Sequence, residues 1–405
     1  MANAFAVTDL VAKEAQRVAH ESLQMIGTVD RQYDDSLDAT GGRHGSTLRV
    51  KKPNMYKRTQ GSRVMDVQDQ DEETQTITVA TQDHVDMRFN SQELIQSVDN
   101  PGKFDSLSKN YITPAVKGLV SGIEADAIAF WTKATAQLAG TAGTALTDLE
   151  VIGAARAKLN QQLAPKDGNR YVQCESVAMG KLANGLKALT NPDRDISRQY
   201  REGLIAHTGM AEFYENDRMW SMPNSADVAG EINAGTLTSG ITSLTVDGFT
   251  AAPVAGMVFT IEGTYDVHPE TKQAYPHLKQ FTCSSGCTTT NLVFTPAVIW
   301  DTSDPRQNCS GQPTDNDDIT FVGSASTNYV QQLMYHKEAF QFTTAALPLM
   351  DDAQKCVRTK QDNLSLRVWM ASDIRNDELL MRVDILYGLT ALRPEWACRM
   401  IGAAG

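Results

Sequence analysis

The sequence predicts an α+β chain interrupted by an all-β module. Three observations carry that reading. Ile112, Val116, Leu119, Ile123, Ala127, Phe130, Ala134 and Leu138 step by three or four and mark one continuous helical face. Residues 229–325 break into short alternating runs separated by turn residues, the pattern of a small barrel or sandwich. Mixed helix and strand character flanks that segment at 146–225 and again from 327 on, so the β module interrupts a domain rather than ending it.

Taken in order, the first 25 residues read as helical, with Val7, Leu10, Val11, Val18 and Leu23 near a 3.6 period and Thr8 or Asp9 as cap. From Gly27 to Gly45 the chain is polar and glycine-bearing and reads as an extended arm. Thr47–Lys51 and Gln75–Val79 alternate at period two and read as strands. Between and within them lie the bases Arg49, Lys51, Lys52, Lys57, Arg58 and Arg63, then the acids Asp66, Asp69, Asp71, Glu72 and Glu73. So charged a connection cannot bury itself. Either it is a solvated hairpin, or it is an arm laid over a neighbouring subunit, basic limb to acidic patch.

The helical face that follows is long. Thr113-Pro114 supplies a cap and first-turn proline, or a kink in a helix begun near Lys103, and Gly140 and Gly143 end it. Next come a helix at 148–163, a turn at 164–168, a strand at Arg170–Cys174 and a helix at 176–189. In the β module, strands are expected at Ile241–Val246, Met257–Ile261, Gln280–Cys283, Leu292–Ile299 and Ile319–Val322. The module holds ten acids against three bases, a net of −7. After it, Phe340–Thr344, Ser365–Met370 and Leu379–Leu386 read as strands.

Composition narrows the function classes. At 405 residues the chain is large enough for two or three compact units. Its formal net charge of −12 argues against tight DNA or RNA binding, which needs clustered cations, and against anionic lipid surfaces. The N-terminus lacks a basic stretch before its short apolar run, and no window approaches 18 uninterrupted apolar residues, so neither export nor a membrane span is expected. Six cysteines are too sparse for a disulfide scaffold and fit a reduced, cytoplasmic site of synthesis.

Catalytic signatures fail on inspection. His20-Glu21 lacks a second histidine four residues on, where Gln24 stands. There is no phosphate-binding GxxxxGK[ST] and no GxSxG, and Gly140–Gly143 is too short a glycine pattern to hold a nucleotide. No catalytic residue, cofactor or resident metal is expected. The one metal alternative is a zinc cluster of His268, His277, Cys283, Cys287 and Cys309. Its spacing is irregular, and Ser284-Ser285-Gly286 makes a good hairpin turn. Structural thiols, a disulfide formed after cell lysis and a metal site all stay open. Asp315-Asn316-Asp317-Asp318 has the composition of a calcium loop without its glycine and closing glutamate, and reads as a solvated acidic loop.

The C-terminal third carries a family resemblance. His336-Lys-Glu-Ala-Phe340, Leu366-Arg-Val368, Ser372-Asp373, Met381–Gly388 and Leu392-Arg-Pro-Glu395 resemble the closing strands of P22-type phage coat proteins. Upstream, Tyr200–Gly203, Thr208–Phe213 and Met222-Pro223 resemble the segment before that family's insertion. Gly256–Gly263 and His268–Lys272 resemble its inserted β-barrel. The strength of the match is collinearity over nearly the whole chain. The resemblance implies an HK97-type capsid fold. Residues 1–45 would be the N-terminal arm, 46–91 the E-loop hairpin, and 92–145 a peripheral domain with its spine helix. Residues 146–228 would be the first part of the peripheral and axial domains, and 229–325 the insertion. Residues 326–405 would complete the axial domain and return strands to the peripheral one.

It implies a major capsid protein, not an enzyme, that assembles with itself into the hexamers and pentamers of an icosahedral shell. Scaffolding protein and portal would be its assembly partners, and packaged double-stranded DNA would be touched only weakly. No membrane contact is implied, and assembly would take place in the host cytoplasm. The competing reading is a secreted or surface protein whose β module recognises carbohydrate. Against it, Phe249, Phe259, Tyr265, Tyr275, Phe281, Phe294, Trp300 and Phe321 fall mostly at strand positions expected to face a core.

Overall fold

The computed structural model describes residues 13–19, 23–31, 47–61, 63–65, 67, 72–90, 111–147, 149–185, 211–350, 355–361 and 364–404. The chain divides into two compact units. The first comprises Met1–Val50, Gln75–Ala127 and Gln341–Thr390; the second comprises Lys51–Thr74, Ile128–Phe340 and Ala391–Gly405. Among the described residues no helix is long and apolar enough to cross a membrane.

In the first unit, residues 13–19 form α1 and Met25–Thr28 form α2. The buried carboxylate of Glu124 accepts the backbone N–H groups of Gln24 (2.9 Å) and Met25 (2.7 Å). It thereby satisfies donors that a helix start leaves without partners. Glu124 lies on α3, Thr113–Ala134, whose 22 residues span about 33 Å at the usual rise.

The buried stripe of α3 runs through Val116, Val120, Ile123, Ala127 and Trp131, while Phe130 is 44% exposed. The predicted face is therefore corrected near its end, where Trp131 and not Phe130 turns inward. The predicted continuation to Leu138 is also corrected. The helix stops at Ala134, Thr135 bonds back through its hydroxyl to the Trp131 carbonyl (2.9 Å), and Leu138–Ala139 becomes strand β4.

The sheet of the first unit has the order β15-β18-β17-β16, with β3 also paired to β18. Its strands are β3 (Thr81–Asn90), β15 (Phe340–Ala345), β16 (Lys355–Gln361), β17 (Leu364–Asp373) and β18 (Glu378–Ala391). Ten consecutive residue pairs, from Asn90↔Glu378 to Thr81↔Tyr387, lock β3 onto β18. Leu366, Val368, Met381, Val383 and Ile385 alternate into its buried face. Gly388 is required in β18, because a Cβ there would sit 2.1 Å from the Thr78 carbonyl oxygen.

The second unit holds a sheet of order β4-β19-β14-β5-β6, with β7 also paired to β14. Its strands beyond β4 are β5 (Arg170–Cys174), β6 (Glu212–Glu215), β7 (Ser221–Pro223), β14 (Asn328–His336) and β19 (Ala397–Ala404). Helix α4, Leu149–Gln161, buries Ile152, Ala155 and Leu159; helix α5, Ser176–Gly185, buries Ala178, Met179 and Leu182. Strands β15 to β18 sit with β3 and the first part of α3. The chain's last strand, β19, instead joins the sheet of β5 and β14, pairing in parallel with β4.

The inserted segment closes into a barrel of order β10-β11-β12-β9-β8-β13. Its strands are β8 (Ala229–Ile232), β9 (Ile241–Asp247), β10 (Val258–Val267), β11 (Ala274–Cys283), β12 (Asn291–Val298) and β13 (Asp318–Phe321). Five were expected from alternation; β8 was not. Phe259 fills the centre, with ring centroids 5.6 Å from Phe281, 5.6 Å from Phe294 and 5.3 Å from Phe321. Leu244, Val246, Ile261, Leu292 and Ile319 complete the interior. A barrel of this size is filled by its own side chains.

Candidate subunit-contact surface

The charged hairpin forms at the expected place. Strand β1 is Thr47–Lys51 and pairs with β2, Thr74–Thr78. The two charged limbs close on each other at the hairpin's base. Lys51 Nζ lies 2.5 Å from Glu72 Oε2 and Lys52 Nζ 3.3 Å from Glu73 Oε1, while the Lys52 backbone N–H donates to the Glu73 carbonyl at 2.9 Å. Lys57 Nζ donates to the Thr302 carbonyl of the barrel's β12–β13 connection at 2.6 Å. Arg49, Arg58 and Arg63 are exposed. Asp66, Asp69 and Asp71 lie outside the described residues. The expected match of basic limb to a neighbour's acids thus has a rival within the hairpin itself for Lys51 and Lys52.

The sequence reading passed over what this connection displays. Met55 (53%), Tyr56 (58%), Val64 (79%), Met65 (84%) and Val67 (76%) are all exposed. Exposed apolar side chains along one connection make it a candidate contact surface, and the signal lay in the sequence as five large apolar residues among charges. Beside the hairpin base is a groove of about 670 Å³ lined by Lys52, Tyr56, Pro269, Arg306, Arg393 and Glu395. Burial pushes the Glu395 carboxyl up from its ordinary range.

The five residues of the zinc alternative are not assembled. His268 Nδ1 accepts the N–H groups of Glu270 (3.1 Å) and Thr271 (3.2 Å) within its own turn. His277 stacks on Tyr275 and lies 3.6 Å from Asp266. Cys309 is buried and bridges Asp266 through the backbone. Cys283 ends β11 and Cys287 lies in the turn after it, its thiol donating to the Val293 (3.2 Å) and Ser284 (3.4 Å) carbonyls. Among the described residues no three His, Cys, Asp or Glu side chains form a metal-holding group. The acidic loop is spent on local bonds: Asp317 accepts the Thr314 N–H (2.6 Å) and hydroxyl (2.8 Å), and Asp315 accepts the Ala234 N–H (3.2 Å).

Buried charges in the second unit are structural ties. Asp266 receives Lys279 at 2.7 Å and Gln162 at 3.2 Å. Burial opposes its ionisation, and the bonds from His277 and Lys279 outweigh that and hold the carboxyl below its usual range. Arg399, fully buried on β19, donates to the carbonyls of Thr135 (2.6 Å), Gly256 (2.6 Å) and Lys133 (3.1 Å) and to the Thr282 hydroxyl (2.8 Å). One guanidinium thus joins the end of α3, the last strand and the barrel. Burial lowers its pKa to about 9.

Comparison with known proteins follows the architecture. No curated protein sequence matches the chain. Solved structures with similar folds include a chain of Mycobacterium phage Che8 (12% identity, TM-score 0.48, covering 92% of this chain and 89% of that one). Another is the capsid of cyanophage P-SCSP1u (11%, TM-score 0.45, 89% and 84%). A third is a virus-like particle from Pyrococcus furiosus (7%, TM-score 0.39, 97% and 98%). The family model described as P22 coat protein, gene protein 5, matches residues 90–402, which take in the barrel and both strand sets around it. With most of its length inside that match, the chain belongs to the P22 coat protein family and is a major capsid protein of the tailed-phage kind.

Proposed function

We propose that the protein builds an icosahedral shell around double-stranded DNA by assembling with itself into hexamers and pentamers, and that it works by contact rather than catalysis. Scaffolding protein and portal are its partners during assembly in the host cytoplasm. In this reading residues 46–91 are the arm that reaches an adjacent subunit. The observation that supports it is the β1–β2 connection, where Met55, Tyr56, Val64, Met65 and Val67 are exposed although full burial of a large apolar side chain gains about 1.5–3 kcal/mol. Arg49, Lys51, Lys52, Lys57, Arg58 and Arg63, with Asp66, Asp69, Asp71, Glu72 and Glu73, flank those side chains and supply orientation more than affinity.

The barrel, at a net −7, belongs on the outer face in this reading, away from packaged phosphates. The carbohydrate-binding alternative finds no support: Phe259, Phe281, Phe294 and Phe321 are consumed by the barrel core. Deleting 54–72 tests the arm. The variant should remain soluble and folded by circular dichroism, and negative-stain microscopy with co-expressed scaffold should show no regular closed shells. Normal particles from that deletion would sink the arm's role.

A further inference from the structure

The groove beside the base of the β1–β2 hairpin is built entirely by the second unit, and its walls are tied in place. Lys57 holds the hairpin's connection to the Thr302 carbonyl at 2.6 Å. Lys272 donates to the carbonyls of Pro305 and Gln307 (3.2 Å to the latter) and so fastens the β10–β11 turn to the β12–β13 connection. Leu163 closes one side just after α4. It sits at φ +61°, the left-handed position where a helix end favours glycine, yet its side chain is 39% exposed and lines the groove. A strained backbone that presents an apolar side chain to solvent is a sign of a contact. Met55 (53%) and Tyr56 (58%) add apolar surface from the hairpin itself.

The charges of the groove are incompletely matched. Of its four acids, Glu73 pairs with Lys52 (3.3 Å) and Asp304 with Arg306 (3.1 Å), and among the described residues no ion pair engages Glu270 or Glu395. Burial holds the Glu395 carboxyl above its ordinary range although Lys52 and Arg393 pull it down. Such a groove fits apolar side chains accompanied by a cation. One stretch of the same chain has that chemistry: residues 58–67 carry the exposed Arg58 and Arg63 with Val64 (79%), Met65 (84%) and Val67 (76%). Their exposure also means that they are not seated in the groove of their own subunit.

We propose that this groove is the socket for residues 58–67 of a second copy of the chain, with Val64 and Met65 set against Leu163 and Tyr56 and Arg63 brought to Glu270 and Glu395. If residues 46–91 reach an adjacent subunit, as proposed above, the socket is where they land. Seating removes apolar surface of both copies from water and gives the buried carboxylate a cation. Socket and segment are different surfaces of one chain, so the contact is head-to-tail and passes around a ring of subunits until it closes.

The test uses full-length chain with p-benzoylphenylalanine in place of Met65, half of it isotope-labelled, assembled with scaffold, irradiated, digested and mapped by mass spectrometry. Irradiation should join position 65 of one copy to a peptide of another copy that holds Leu163, Glu270 or Glu395. Links within a single copy, to the scaffold, or elsewhere on a second copy would each overturn the socket. In the last case the arm would still reach its neighbour, whereas normal shells from the 54–72 deletion would remove the arm's role itself. Leu163→Gly supplies an independent reading, because it deletes the side chain while relieving the left-handed strain. The melting temperature of the unassembled variant should hold or rise, and the protein concentration needed for shell assembly should increase about tenfold, the factor for losing one buried leucine. An unchanged threshold by light scattering would overturn the socket, even where the bulky group at 65 hinders shell formation.

Discussion

Arg367 grips Asp384 through two parallel bonds inside the first unit's sheet, Nε to Oδ1 at 3.0 Å and Nη2 to Oδ2 at 2.5 Å, and the two residues are direct cross-strand partners. They are 4% and 0% exposed. Gln82 adds a third bond to the carboxylate at 3.0 Å, and Arg367 also donates to the Pro348 carbonyl at 2.8 Å. Removing one partner leaves a desolvated charge. Asp384→Ala should therefore cost about 3–5 kcal/mol, whereas the apolar pair Arg367→Met with Asp384→Leu should cost far less. Denaturant midpoints of the three proteins decide it. A single substitution costing under ~1 kcal/mol would show that the pair does not hold the sheet.

The hairpin separates apolar from charged contributions to assembly. Replacing Val64, Met65 and Val67 together by Ser should leave the melting temperature of unassembled protein unchanged and abolish shell formation. Lys51→Glu alone should be nearly silent, since its exposed pair with Glu72 is worth about 0–1 kcal/mol. Reversing Lys51, Lys52 and Lys57 together should impair assembly most at low salt. Light scattering at two salt concentrations reads both effects. A severe defect from Lys51→Glu would point to a specific buried contact.

Asp167 links stability to acid. Burial opposes its charge, but bonds from the Asn169 side chain and backbone and from His336 (3.0 Å) outweigh that and hold its pKa at about 2. A depressed folded pKa contributes stability that is present in full above the ordinary carboxylate value near 3.8 and is lost as pH falls toward 2. Wild type should therefore exceed Asp167→Asn in melting temperature by a constant margin at neutral pH. The margin should shrink only between pH 3.8 and 2. A gap that varied between pH 5 and 8 would contradict this.

Gly256 sits at φ +98° with the Trp220 ring 2.5 Å from where a Cβ would be. Its carbonyl is also held by Arg399. Gly256→Ala should destabilise by more than ~1 kcal/mol, combining left-handed strain with displacement of the ring. Calorimetry of the variant checks it; an unchanged melt would mean that the indole moves freely.

The barrel should fold alone. A fragment of residues 229–325 should melt cooperatively with a β-type spectrum, insensitive to chelators. Its melting temperature should lie below that of the module in the full chain, because Gly256 and Thr282 lose Arg399. A random-coil fragment would refute autonomy, and a chelator-sensitive melt would revive the zinc reading.

What the sequence disclosed follows the physics of exposure. Strands with one wet face, such as β9 and β13, alternate and were legible, as was β5 between its clear turns. Strand β14 was not, because Gln331 and Gln332 are buried and bonded inside it and break the apolar pattern. Strand β3 left a signal in Val85, Met87 and Phe89 that the surrounding charges obscured. The return of β19 to β4 depends on pairing across more than 250 residues, which no local period encodes. Along the β1–β2 connection the charges were legible. The exposed apolar residues among them were not, because an apolar residue in solvent looks in sequence like any other.

Closure of the barrel has a consequence for a protein that acts only in crowds. In a shell, copies of one module are held at extreme local concentration. Any strand left with unpaired N–H and C=O groups would meet its twin and template edge-to-edge fibres. In this barrel each of the six strands has a neighbour on both sides, β8 joining β13 to β9 to complete the ring. Its ring of strands therefore presents no open edge along which copies of the barrel could zip.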